Sequence, residues 1–140
     1  MELHICDFLK KAPENLNDPD GRWNHFCMEI SMQEPDTPDS IIRKAVLCFR
    51  YDAEMNSGGH SGYFSCYPDT DPEELYTALA EIGGTEIADN YKKALTADDE
   101  YIETDDTFYS FTPSLTERVM EYVEAHKEII FTIKMKYFAG

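Results

Sequence analysis

The segment Asp52-Ala53-Glu54-Met55-Asn56-Ser57-Gly58-Gly59-His60-Ser61-Gly62-Tyr63-Phe64 gathers the residue types from which a site could be built. Successive glycines at a helix end can cradle a phosphate on their backbone amides. Neither nucleotide signature is complete, however. A Walker loop requires Gly-Lys-Ser/Thr, and the dinucleotide fingerprint requires a strand ahead of its glycines. The plainer reading is a tight helix-to-helix corner. In it Gly58 and Gly59 allow positive φ, Asn56 bonds the local backbone, and Tyr63 and Phe64 turn to the core.

Other reactive residues are scattered. His4, His25, His60 and His126 form no ligand spacing, and His25 and Cys27, two apart, diverge on a helix. A metal site would have to assemble in space from His60, Cys66 and nearby carboxylates, so no metal or cofactor is expected from the spacing. Cys6, Cys27, Cys48 and Cys66 stand about twenty residues apart without a CxxC pair, which suits free thiols in a reducing compartment. Asp98-Asp99 and Asp105-Asp106 are paired carboxylates, but acids abound here. The stretch also lacks the glycine turn and terminal Glu of an EF-hand loop. A catalytic triad is recognised by geometry rather than sequence order, and nothing local resembles an active site. The expectation is a protein that is not an enzyme.

Helical periodicity runs through most of the chain. Trp23, Phe26, Cys27 and Ile30 fall on one helical face. After a start at Thr37-Pro38, Ile41, Ile42, Ala45, Val46, Phe49 and Ala53 form a broad stripe. Asp71-Pro72-Glu73-Glu74 is a second start signal, followed by Leu75, Ala78, Leu79 and Ile82 and stopped at Gly83-Gly84. Thr85 caps a helix with Ile87, Ala88, Tyr91, Ala94 and Leu95 inward. Ser114-Leu115-Thr116-Glu117 is a capping box ahead of Leu115, Val119, Tyr122, Val123 and His126. A further helix around Ile5, Phe8 and Leu9 fits the same period. Residues 11–21 and 96–113 read as loops.

Phe131, Ile133, Met135 and Tyr137 alternate with Thr132, Lys134 and Lys136. This reads either as a short C-terminal strand that pairs with a second subunit or as a continuation of the last helix. The fold expected over residues 1–140 is one compact, mainly α domain. Its expected core holds Trp23, Phe26, Ile42, Val46, Phe49, Leu75, Leu79, Ile82, Tyr91, Val119 and Tyr122.

Charge narrows the partners. Twelve basic residues against twenty-eight acids leave a formal charge of −16. Nucleic acid and anionic membrane are therefore excluded as direct partners by like-charge repulsion. Between Asp69 and Asp106, thirteen acids face only Lys92 and Lys93. Such a band is either a solvated face or a surface for a basic protein. On the second reading the contact residues are Asp69, Asp71, Glu73, Glu74, Glu81, Asp98, Asp99, Glu100, Glu103, Asp105 and Asp106. The N-terminus shows no basic start or apolar run of a secretion signal, so a cytoplasmic location is expected.

The corner also carries a resemblance. Glu54, Asn56, Gly58, Gly59, Tyr63 and Phe64 resemble the hallmark of the bacterial DNA-mimic protein family, a Glu-x-x-Asn-Gly-Gly-Phe-like stretch ending in paired aromatics. Ala78-Leu79-Ala80-Glu81-Ile82-Gly83-Gly84 is similar to that family's Ala-Leu-x-x-Ile-Gly-Ala helix end, and Tyr122 and His126 to its close. His60 stands where the family usually has Phe, and Gly62 where Gln is common. The resemblance implies an all-helical, often dimeric protein whose carboxylates stand in for DNA phosphates and occupy a DNA-binding regulator. An antitoxin or immunity protein that neutralises a basic toxin would need the same acidic face.

Overall fold

A computed structural model of the chain describes residues 15–32 and 39–131. Among these residues the structure is helical, with no strand, as the periodicity predicts. After a 3₁₀ turn at Asn15–Asn17, α1 (Pro19–His25) starts at Pro19, and the Asp18 carboxylate accepts the Gly21 N–H at 2.7 Å. The loop expected over residues 11–21 thus ends earlier, because Asp18-Pro19 is itself a cap and first-turn proline. α1 widens into a π turn at Phe26–Ile30, closed by the Ser31 N–H on the Phe26 carbonyl at 2.9 Å.

α2 (Ser40–Met55) is the central helix, packed on by its neighbours in the chain and by the last helix. Asp39 caps it, accepting from Ile41 and Ile42 at 2.9 and 3.1 Å; the start expected at Thr37-Pro38 lies outside the described residues. Its buried side changes along its length. The first half turns Ile42, Ala45 and Val46 inward, and the second buries Cys48, Tyr51, Asp52 and Met55. Ala53, expected on the stripe, is exposed, because the elements covering α2 change from α4 (Pro72–Ile82) to α3 (Gly59–Cys66) and α7 (Leu115–Ala125).

α4 and α5 (Thr85–Ala94) form an antiparallel hairpin over Gly83-Gly84. Asp71 caps α4 through the Glu73 N–H at 3.0 Å, with Pro72 in its first position. At α5 the cap differs from expectation. Gly84, at φ 100°, precedes the helix, and Thr85 is its first residue with no side-chain cap. A left-handed glycine turns the chain there without help from a hydroxyl. The Ser114–Glu117 capping box opens α7 as predicted, with both reciprocal bonds formed.

The loop expected over residues 96–113 is corrected. Ile102–Ser110 is a helix, α6, docked on α5 and α3. Ile102, Thr104, Thr107, Phe108 and Tyr109 are poor helix formers, and only Thr104 and Phe108 are buried, so no apolar period marks it. Capping starts it instead: Asp99 accepts both the Tyr101 and the Glu103 N–H at 3.1 Å. The turn before it holds Glu100 and Tyr101 at φ 59° and 69°, a left-handed pair that costs about 1 kcal/mol or more per residue.

Of the expected core, Phe26, Ile42, Val46, Leu75, Leu79, Ile82, Tyr91 and Val119 are buried, while Trp23, Phe49 and Tyr122 are half-buried against it. A helical turn at residues 127–131 buries Ile130 and Phe131. Phe131 therefore belongs to a helix; the rest of the alternating segment, residues 132–137, lies outside the described residues. No helix of the described residues is long and apolar enough to cross a membrane.

Candidate functional site

The glycine corner joins α2 to α3. The Glu54 carbonyl receives the Ser57 and Gly58 N–H groups at 3.0 and 2.7 Å, and Asn56 Nδ2 donates to the Asp52 carbonyl at 2.9 Å. Only Gly59 has positive φ, at 69°. Gly58 sits at φ −124°, since one left-handed residue suffices to reverse the chain. Tyr63 is buried and Phe64 half-buried, as the corner was expected to place them.

The anion cradle exists, and the chain fills it. Asp105, from α6, accepts the His60 backbone N–H at 3.0 Å and bonds His60 Nδ1 at 2.7 Å, both through Oδ1. A carboxylate thus sits at the start of α3, where the helix dipole favours negative charge. A Cβ on Gly59 would meet Asp105 Oδ2 at 2.4 Å. Glycine is required there twice, by backbone conformation and by the approach of Asp105.

His60 continues the chain of bonds inward. Its ring is fully buried, and Nε2 lies 2.5 Å from the Tyr51 hydroxyl. A carboxylate only accepts, so Nδ1 carries the proton, and Nε2 accepts from Tyr51 in the neutral ring. Burial lowers the His60 pKa, partly offset by Asp105, and burial raises that of Tyr51 well above the usual phenol range. Tyr63, Tyr91 and Phe108 meet the Tyr51 ring edge-on at 5.1 to 5.7 Å. With Tyr51 and His60 both sealed from solvent, the relay fixes a proton pattern but presents no reacting atom to a substrate. Both His60 nitrogens are occupied, so the metal reading with Cys66 loses its histidine. Among the described residues no three His, Cys, Asp or Glu side chains group to hold a metal ion.

A second buried polar group sits behind the corner. Asp52 accepts from Thr116 at 2.5 Å and from Asn56 at 3.2 Å, tying α2 to α7, and burial raises its pKa. The groove of about 670 Å³ beside α2 and α3 carries Arg43 and Arg50. Arg43 is engaged by Glu74, and Arg50 by the Ser31 carbonyl and the Tyr67 ring.

The eleven acids of the band divide by role. Glu74 pairs with Arg43, and Glu81 with Lys44 at 3.0 Å. Asp71 and Asp99 cap helices, and Asp105 turns into the corner. These five are structural, and for Glu74, Glu81 and Asp105 sequence distance concealed the role: Asp105 and His60 are 45 positions apart. Asp69, Glu73, Asp98, Glu100, Glu103 and Asp106 are exposed, and their side chains make no ion pair or hydrogen bond among the described residues. The α4–α5 hairpin sorts the band further. Its open end joins Glu73 with Leu95 and Lys92 around one groove and carries the turn to Asp98 and Glu100. Glu81 and Glu86 fall at the opposite, Gly83-Gly84 end. On α6, Ile102, Glu103, Asp106 and Tyr109 are exposed together along one face. Ile102 was not singled out in the sequence, because residues 96–113 read as loop, and Tyr109, expected to pack down on the body with Tyr101, Phe108 and Phe111, is exposed.

No curated protein and no solved structure matches the chain. The sequence model of the DMP19-like proteins matches residues 38–128. That span holds α2 to α7, the glycine corner, His60 and every acid of the band. With well over half of its length matched, the chain belongs to the DMP19-like protein family.

Proposed function

We propose that this is a non-enzymatic binding protein that uses carboxylates in place of DNA phosphates to occupy a basic DNA-binding regulator. The observation that carries the reading is the sorting of charge. Arginine and lysine ion pairs are spent on the helix junctions: Arg22 with Glu124 between α1 and α7, and Arg43 and Lys44 with Glu74 and Glu81 between α2 and α4. Asp69, Glu73, Asp98, Glu100, Glu103 and Asp106 are left exposed on the α4 start, the α5–α6 turn and α6. Duplex DNA carries one charge per about 1.7 Å of axis, and a helix rises about 1.5 Å per residue. Glu103 and Asp106, three positions apart on α6, therefore stand about 4.5 Å apart along the axis, the same order as the about 3.4 Å between charges on one DNA strand. Ile102 and Tyr109, 64% and 54% exposed, flank Glu103 and Asp106. They add apolar contact that a purely solubilising face would not offer.

The test is kinetic. Asp98→Asn, Glu100→Gln, Glu103→Gln and Asp106→Asn are combined, and association with a DNA-binding protein captured from low-salt extract is timed. Charge sets encounter rate above all, so the amide variant should associate roughly tenfold more slowly or worse at about 0.1 M salt. The difference should shrink towards 1 M, where the screening length falls to about 3 Å. Equal rates for both proteins would sink the reading. Binding that duplex DNA leaves untouched would favour a toxin-neutralising role instead.

A further inference from the structure

The helix that carries Glu103 and Asp106 is one of the lightly buried ones. α2, α4 and α5 each bury four or more side chains, whereas α6 buries only Thr104 and Phe108. Its other attachments are polar. Asn90 Nδ2 donates to the Thr104 carbonyl at 2.8 Å, the Tyr109 hydroxyl donates to the Met55 carbonyl, and Asp105 receives two bonds from His60. The turn that leads in is held left-handed at Glu100 and Tyr101, a conformation that persists only where surrounding contacts impose it. Tyr101 and Phe64 both lie against the His60 ring, at 6.0 and 5.9 Å. His60 thus touches the approach to α6, the Asp105 carboxylate on it, and Tyr51 of α2.

We infer that His60 is a positioning residue for the acidic face: its Nδ1–H tethers Asp105 and holds α6 in the orientation that displays Glu103 and Asp106, and loss of that bond releases α6 as a unit. Only the consequence for partner capture rests on the function proposed above. The latch itself is a property of the free protein. Because Tyr51 holds Nε2 while Asp105 holds Nδ1, the imidazole has one ring orientation and one tautomer that serve both bonds. The corner glycine leaves the space that Asp105 needs. These three residues therefore act as one fastening.

Amide hydrogen exchange on the free protein tests this directly. His60→Phe and, as a less buried alternative, Asp105→Ala should speed exchange across residues 102–110 by roughly tenfold or more. Amides of 40–55 and 115–125 should change far less. His60→Asn keeps a donor at the Nδ1 position and should restore most of the α6 protection, although it gives up the bond from Tyr51. Uniform loss of protection through the whole chain in His60→Phe and Asp105→Ala would overturn the proposal, because the relay would then be ordinary core. So would unchanged exchange at 102–110. Since no partner enters the measurement, its failure leaves acidic capture standing, and failure of the amide variants leaves the latch standing.

Discussion

Asp105 shows how one side chain can leave a surface and enter the framework. Its carboxylate accepts two bonds from His60 and occupies the cradle made by Gly59, so the corner has the geometry of an anion site already filled. Gly59→Ala must adopt a left-handed conformation and displace Asp105, a combined cost of about 2 kcal/mol or more in urea denaturation. Gly58→Ala, whose Cβ would rest 3.4 Å from Gly62 Cα, should cost no more than about 0.5 kcal/mol. The relay also sets a pH dependence. The groups facing His60 are Tyr51 from α2 and Asp105 with Tyr101 from α6 and its approach. Burial depresses the His60 pKa, so its neutral form is favoured by folding. That contribution is complete above the unfolded value of about 6.5 and is lost as pH falls through the folded value. Asp52 runs the other way. Burial raises its pKa, so its favourable contribution is present below the unfolded carboxylate range and lost as pH rises through the folded value. Asp52→Asn can keep both bonds, with the amide oxygen accepting from Asn56 and its nitrogen donating to Thr116. It should raise stability at pH 7, and a lower urea midpoint for this variant would contradict the account.

α6 depends on its cap more than on its own propensity. Asp99 satisfies two of the N–H groups that a helix start leaves open. Asp99→Ala should therefore cost about 1 kcal/mol, seen as faster exchange confined to the first turn of α6, whereas an unchanged profile would remove the cap from the argument. The same helix marks the limit of reading structure from sequence. α4 and α7 were legible because Asp71-Pro72 and Ser114–Glu117 announce their starts and apolar residues then recur on one face. α6 announces itself by Asp99 alone, and its single buried aromatic, Phe108, gives no period. The glycine corner was legible in kind, since consecutive glycines after a helix mark a tight turn. Its occupant was not, because a contact across 45 positions leaves no local trace. In the acidic band, sequence supplied the charges but not their division between caps, ion pairs and open surface.

Over the whole molecule, fold and charge work against each other. Twenty-eight acids on 140 residues would repel one another in any compact state. The chain relieves this where helices meet, through Arg22, Arg43 and Lys44, and leaves it unrelieved on the α5–α6 side, where Lys92 and Lys93 are the cations nearest in sequence. On the proposed function, this surface should exclude DNA from the regulator that it holds. The decisive measurement is a competition in which a DNA-binding protein captured on this chain is titrated with duplex DNA, and free and bound species are followed together. Occupancy of DNA's own site predicts mutual exclusion, with each increment of duplex releasing an equivalent of this protein. A stable ternary complex of this chain, its partner and duplex DNA would contradict it.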